Sequence, residues 1–166
     1  MASPIEWAQT LQDTAFAVQL AESRYEFPLL EGFHLVGLGL SVGLIALVDL
    51  RLAGLFLRQV PANDVLHQLR PWVLLGFALT FVSGSLLFCS EAVTVLQSPA
   101  FPFKMFFIFL AGSNALWFEI RIARDRQLLA AGGTTARMAG TAGFASLALW
   151  TLVVASGRLI PYLTSW

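Results

Sequence analysis

Phe27 to Leu52 reads FPLLEGFHLVGLGLSVGLIALVDLRL, and comparably apolar runs recur three more times, giving candidate spans at about 28–53, 71–96, 100–123 and 138–162. At 1.5 Å of rise per residue, each is long enough to cross roughly 30 Å of hydrocarbon as a helix. Lipid offers no hydrogen bonds to an exposed backbone, so only helices and closed barrels cross it. The runs are continuous and do not alternate as barrel strands do. The expected fold is therefore all-α: an integral membrane four-helix bundle forming a single domain over residues 1–166. Composition agrees, with 57% hydrophobic and 12% charged residues and a mean hydropathy of +0.74, outside the range of soluble domains. The formal net charge of zero and the lack of a Lys/Arg-rich block leave no basis for nucleic-acid binding. A lone Cys89 excludes an intrachain disulfide, and the absence of C-x-x-C-H excludes a covalently attached c-type haem.

The first 27 residues lack a basic segment followed by a continuous apolar core, so they do not read as a cleaved signal peptide. Ser3-Pro4-Ile5-Glu6 is a capping box with proline at the first helical position. Trp7, Leu11, Thr14/Ala15 and Val18 then recur at helical spacing, which predicts an amphipathic interfacial helix over residues 4–23. The connection RQVPANDVLHQLRP is expected to be a loop, LQSPAFP a tight turn, and RDRQLLAAGGTTAR a polar loop. Arg51, Arg58, Arg70, Arg121, Arg124, Arg126 and Arg137 fall at the span ends joined by the first and third of these, leaving Arg24, Lys104 and Arg158 for the other side. Basic residues stay cytoplasmic, which predicts a multi-pass protein of the bacterial inner membrane with both termini periplasmic. Gly39-x-x-x-Gly43, Gly76, Thr80, Ser83/Gly84 and Gly140-x-x-Gly143 are expected to let helices approach closely.

Ionisable residues within the spans carry the functional signal, because each is costly in lipid unless paired or lining a polar cavity. They sort into two layers. Glu31, His34, Glu91, Lys104 and Arg158 lie near the outer face; Asp49, Arg51, Glu119 and Arg121 lie near the inner face. His34 and Asp49 are fifteen residues apart, about 22 Å along a helix, so the layers form separate sites. In the inner layer, Asp49 is expected to pair with Arg51 or Arg121, and Glu119 with Arg121 or Arg124. His67 reads as a solvated loop residue and Asn114 as an interhelical hydrogen-bonding group.

Two readings fit the outer layer. In one, Lys104 and Arg158 snorkel to the headgroups and pair with Glu31 and Glu91. In the other, His34 is an axial ligand of a haem b: Glu31, one turn away, orients the ring, Gly37 and Ser41 leave room for a flat macrocycle, and Lys104 and Arg158 face the propionates. His67 lies across the membrane from His34. A bis-histidine iron would then need two subunits, as a homo- or hetero-oligomer; otherwise it is five-coordinate or takes a weak ligand such as Met105.

The segments FPLLEGFHLVGLGLSVGLIALVDLRLAGL, PWVLLGFALTFVSGSLLF, SPAFPFKMFFIFLAGSN and SLALW…ASGRLIPY resemble a family of small bacterial membrane proteins catalogued as a domain of unknown function. The resemblance spans nearly the whole chain and implies the architecture. A looser similarity, to the copper-resistance D membrane domain and the haem-binding membrane protoporphyrinogen oxidases, implies that His34 is the haem-ligand histidine and Lys104 its companion. The chain has only two histidines, fewer than the copper-resistance group, which argues against copper. Three functions follow as expectations. The first is a membrane redox protein holding haem b near the periplasmic face and exchanging electrons with quinone or with a membrane or periplasmic redox protein. The second is a non-catalytic subunit or assembly factor that docks another membrane complex. The third is a small transporter, for which no inverted repeat is evident.

Overall fold

The computed structural model describes residues 3–123 and 133–163. Its elements are α1 (Pro4–Gln12), α2 (Ala15–Glu22), α3 (Glu26–Leu52), α4 (Ala62–Ser90), α5 (Ala92–Gln97), α6 (Ala100–Phe118) continuing into a π-helical turn (Glu119–Ala123), and α7 (Gly133–Leu163). Four helices are long and apolar enough to cross a membrane: Glu26–Leu52, Ala62–Ser90, Ala100–Ile122 and Ala136–Leu163. Large apolar side chains cover the outer surface; Phe81 is 78% exposed, Phe109 70% and Leu35 69%. Water would not tolerate so continuous an apolar surface, so the bundle faces lipid and the chain is a multi-pass membrane protein.

Four boundaries differ from the sequence expectation. The single interfacial helix over 4–23 is broken in two, because Thr14 turns from the apolar stripe into an N-cap whose hydroxyl accepts from the Ala17 amide at 3.4 Å. The Ser3/Glu6 capping box that starts α1 forms as expected, with both reciprocal bonds present. The first connection is shorter than expected. Gly54, at φ +70°, ends the turn after α3, and α4 begins directly after Pro61, with Asp64 in its first turn. Residues 62–70 are thus helical, and Pro71 sits inside α4, where it frees the His67 carbonyl from its usual partner. At the other end, α4 stops at Ser90; Glu91 (φ −132°, ψ 31°) turns the chain into α5. Of the polar loop expected over residues 124–137, residues 124–132 lie outside the described residues, while 133–137 are already helical at the start of α7.

Helix packing follows the small residues, though not all of those expected. A Cβ on Gly37 would lie 2.7 Å from Thr80 Oγ1, and one on Gly76 would lie 2.6 Å from the Ser41 amide nitrogen, so α3 and α4 touch backbone to backbone. Gly143 brings α7 equally close to α3, where a Cβ would lie 2.9 Å from the Asp49 carbonyl oxygen. Gly39 and Gly43, by contrast, have nothing within 4 Å. The contact stripe of α3 runs through Gly37 and Ser41 instead. On the other flank, Ala111 of α6 packs with Trp150 and Val153 of α7, and Asn114 Nδ2 donates to the Ala142 carbonyl at 3.0 Å.

The spanning helices therefore follow the lateral order α4, α3, α7, α6, and α4 and α6 make almost no backbone approach to each other. Side chains bridge this gap at both ends. Phe88 stacks on Phe101 with centroids 5.8 Å apart, and Arg70 pairs with Glu119 at 2.5 Å. The helices α1 and α2 lie across the Phe88 end, where Trp7 meets Phe88 and the Gln12 side-chain oxygen accepts from the Val93 amide at 3.0 Å. That end is the terminal face; the opposite one, carrying Arg51, Arg58, Arg70 and Arg121, is the arginine face.

Candidate functional site

His34 sits on α3 in the terminal half of the bundle, half-buried. Its ring lies over Gly84 of α4, where a Cβ would come within 2.9 Å of Cε1. Nδ1 is 3.0 Å from Ser83 Oγ, and that hydroxyl already donates to the Leu79 carbonyl at 2.6 Å. Nδ1 and the Ser83 hydroxyl share a hydrogen bond whose direction follows the ring's tautomer, and the imidazole is also in hydrogen-bonding reach of the Thr80 backbone. The partner that orients His34 is thus Ser83; Glu31, expected in that role, is exposed at the rim. Small residues at two adjacent positions of α4 make this possible: Gly84 admits the ring and Ser83 anchors it.

Of the charged residues expected around a macrocycle, Lys104 lies along α7, while Glu31 and Arg158 are exposed. Lys104 extends from α6 along Gly157 of α7, whose hypothetical Cβ would be 3.4 Å from Cε and 3.5 Å from Nζ, and its charge acts on the imidazole. Arg158 turns outward instead, its guanidinium 5.6 Å from the Tyr162 ring centroid one turn along the same helix. The space that Gly37 and Ser41 were expected to leave is filled by α4: Thr80 lies against Gly37, while Ser41 is 1% exposed and donates to the Gly37 carbonyl at 2.8 Å. Gly37 and Ser41 are helix-packing residues, and Arg158 is a surface residue. The pairing of Lys104 with Glu31 or Glu91 does not form among the described residues either. Glu91, just beyond the end of α4, is held above the usual carboxylate range of 4.5 by partial burial and then by the neighbouring Glu31 carboxylate.

The larger opening is in the arginine half. Where α4 and α6 diverge, a cavity of about 560 Å³ is walled by all four spanning helices, a volume in the roughly 300–1,000 Å³ range of small-molecule pockets. Ile45, Val48, Phe77 and Leu66 make its apolar walls; Asp49, Ser146, Trp150 and Asn114 bring polar atoms to it; His67, Arg70 and Glu119 line it toward the arginine face. Asp49 is 5% exposed, with Ser146 in hydrogen-bonding reach of its carboxyl. Among the described residues three buried polar side-chain atoms have no hydrogen-bond partner: Asp49 Oδ2 and Trp150 Nε1, on residues that line the cavity, and Thr80 Oγ1 at the α3–α4 contact. Ser146, in reach of the Asp49 carboxyl, and Trp150 are four residues apart on α7, one helical turn, and all three residues line the cavity.

These contacts correct the inner-layer expectations. Asp49 forms no ion pair among the described residues, since Arg51 turns its Nε to the Val60 carbonyl at 2.6 Å. Glu119 pairs with Arg70 across the α4–α6 gap; Arg124, one of its expected partners, lies outside the described residues. His67 is helical and lines the cavity. Sequence reasoning gave no role to Ser146 or Trp150, although their spacing and the depth of Asp49 together carried the signal. Among the described residues no group of three or more His, Cys, Asp or Glu side chains is arranged to hold a metal ion.

Residues 6–163 match the family described as "Family of unknown function (DUF6644)". The chain belongs to that family. No curated protein and no solved structure matches it.

Proposed function

We propose that this DUF6644 protein is a redox-linked membrane protein that takes a bilayer-dissolved ligand of the quinone class into the cavity between α4 and α6. The carrying observation is the pair of unsatisfied buried atoms on the cavity wall, Asp49 Oδ2 and Trp150 Nε1. Leaving each unpaired costs about 1–3 kcal/mol, a cost that a ligand with matching groups removes. Trp150 Nε1 can only donate, and a quinone carbonyl only accepts; Asp49 Oδ2 can accept from the hydroxyl of the reduced form. The apolar lining suits a ring and the start of a lipid tail, and the missing α4–α6 contact leaves a side route from the bilayer. The arginine face is cytoplasmic in this reading, because basic residues concentrate there, and the membrane is the bacterial inner membrane.

Trp150 supplies the test. A short-tailed benzoquinone titrated into detergent-solubilised protein should quench tryptophan emission saturably. Trp150→Phe should remove the saturable part and Asp49→Asn should weaken it. Quenching that is linear in quinone and identical in Trp150→Phe would reflect collision alone and would reject the site.

A second reading, haem b on His34, is favoured by one feature: Ser83 anchors the ring through Nδ1, as the second nitrogen of a metal-ligating imidazole is commonly anchored. Gly37, Ser41 and Arg158 do not fit the roles a macrocycle would give them, so only His34 and Lys104 support it. Protein made with ample haem should then show a Soret band that His34→Ala loses; a colourless wild type rejects this reading and leaves the cavity proposal untouched.

A further inference from the structure

We infer that Asp49 is a proton-binding site served from one side of the membrane: the cavity joins its carboxyl to the water at the arginine face and is closed toward the terminal face. The inference shares the cavity with the proposed function but needs no quinone in it, and its ligand is the proton.

The carboxyl comes first. Asp49 lies one turn before the end of α3, yet it is 5% exposed and makes no ion pair among the described residues. Its Oδ2 has no hydrogen-bond partner, and Ser146 is in reach of the carboxyl. Arg51, two residues on, is turned to the Val60 carbonyl. A carboxylate in this state among membrane helices is costly, and a proton is the smallest ligand that removes the charge. Unlike a fixed counter-ion, a proton can be given back.

The proton also has a way in. With 29 residues α4 is about 43 Å long, against roughly 30 Å of hydrocarbon, and its polar first turns precede the apolar run. Asn63, His67 and Arg70 on those turns line the same cavity as Asp49, as does Glu119 of α6. His67 and Arg70 are exposed. At about 560 Å³ and with these groups on its wall, the cavity is large and polar enough to hold water. Arg70 and Glu119 are paired with each other, and neither α3 nor α7 brings a further charged residue to the lining, so His67 is the titratable group outside that pair at the mouth.

Toward the terminal face the path stops. The innermost lining residues are Ile45, Phe77, Asn114 and Trp150; one turn beyond them Val42, Phe107, Ala111 and Val153 pack around Trp150 in an apolar cluster. Between α3 and α4 the backbones touch at Gly37, Ser41 and Gly76, which leaves no channel there. None of the polar groups of the terminal half, His34, Ser83 and Lys104, belongs to the lining. The gap between α4 and α6 opens on lipid, which carries no protons. A ligand hydroxyl that meets Asp49 therefore exchanges its proton with the arginine side alone.

Dicyclohexylcarbodiimide, an apolar reagent that dissolves in the bilayer and adds to protonated carboxyl groups, reads the site directly. Closed membrane vesicles carrying uniformly oriented protein are treated with the inner and outer pH set independently, and modification of Asp49 and Glu91 is measured by peptide mass spectrometry. Glu91, exposed beside the terminal face, reports the pH of that compartment. Asp49 modification should rise several-fold when the opposite compartment is made acid and respond little to the compartment that Glu91 follows. The two carboxyls then answer to opposite sides of one sample, whichever way the vesicles are turned. Asp49 unmodified with both compartments acid, modified equally at every pH, or following the same compartment as Glu91 would overturn the inference. All of these outcomes are read on the unaltered chain, so none depends on a variant folding. No quinone is present, so failure of the expected quinone quenching leaves this result standing, and failure here leaves that one.

Discussion

Gly76→Ala is the sharpest probe of how this bundle holds together. A methyl group there would sit 2.6 Å from the Ser41 amide nitrogen and 3.0 Å from the Gly37 carbonyl oxygen, both backbone atoms that no rotamer change can move. The helices must separate by about an ångström or deform, and overpacking of this kind costs about 1–3 kcal/mol. Since α3 and α4 form the most extensive helix pair, a value near the top of that range, about 3 kcal/mol, is expected. At 1.4 kcal/mol per decade this is roughly a hundredfold in the unfolding equilibrium. Reversible unfolding in mixed micelles, followed by circular dichroism, measures it. Gly39→Ala is the internal control: nothing lies within 4 Å of its hypothetical Cβ, and the helix-propensity gain of about 1 kcal/mol should leave it neutral or slightly stabilised. Equal stability of the two variants would refute the assignment of the α3 contact stripe to Gly37 and Ser41.

Three further outcomes are expected. Arg70→Ala should lower stability by no more than about 1 kcal/mol, because the Arg70–Glu119 pair is largely solvent-exposed, with 60% and 33% side-chain exposure; the same unfolding assay reads it. Asn114→Leu should cost about 0.6–1.7 kcal/mol, the range for one interhelical hydrogen bond in a membrane, since its bond to the Ala142 carbonyl joins α6 to α7. Glu91 binds its proton more tightly folded than unfolded, so stability is full below the ordinary carboxylate range and falls as pH rises through the raised folded value; Glu91→Gln should match wild type in acid, exceed it at neutral pH, and flatten the pH profile.

The architecture was legible because lipid imposes a length and a composition on every span, and those are one-dimensional properties. Helix ends were less so. Residues 62–70 carry enough polar groups to resemble a loop, yet Pro61 and Asp64 suit a helix start, and the extension converts His67 and Arg70 from loop residues into cavity wall. The glycine pattern was ambiguous in a different way. Gly39-x-x-x-Gly43 and Gly37-x-x-x-Ser41 lie on different faces of one helix, and only the position of α4 decides which is used. His34 stood out as the histidine inside a span, but its partner lies on another helix, forty-nine residues away. Local spacing favoured Glu31 because a helix places residue i+3 on the same face; it has no means of representing Ser83.

The divergence of α4 from α6 explains why the polar groups of the two layers remain unsatisfied together. In a closed bundle, each buried donor or acceptor would meet a facing helix, and a residue such as Asp49 would be paired or replaced. Here the order α4, α3, α7, α6 closes three interfaces and leaves the fourth to side chains at its two ends, Phe88–Phe101 and Arg70–Glu119. Asp49 and Trp150 line the opening on one level, and Lys104 lies along Gly157 of α7 on the other. Phe77 and Trp150, with ring centroids 5.1 Å apart, join α4 to α7 across the cavity wall. Lys104 is outside that lining, so Lys104→Gln should leave the saturable quenching by quinone intact, and loss of the quenching in that variant would refute the placement of the site between α4 and α6.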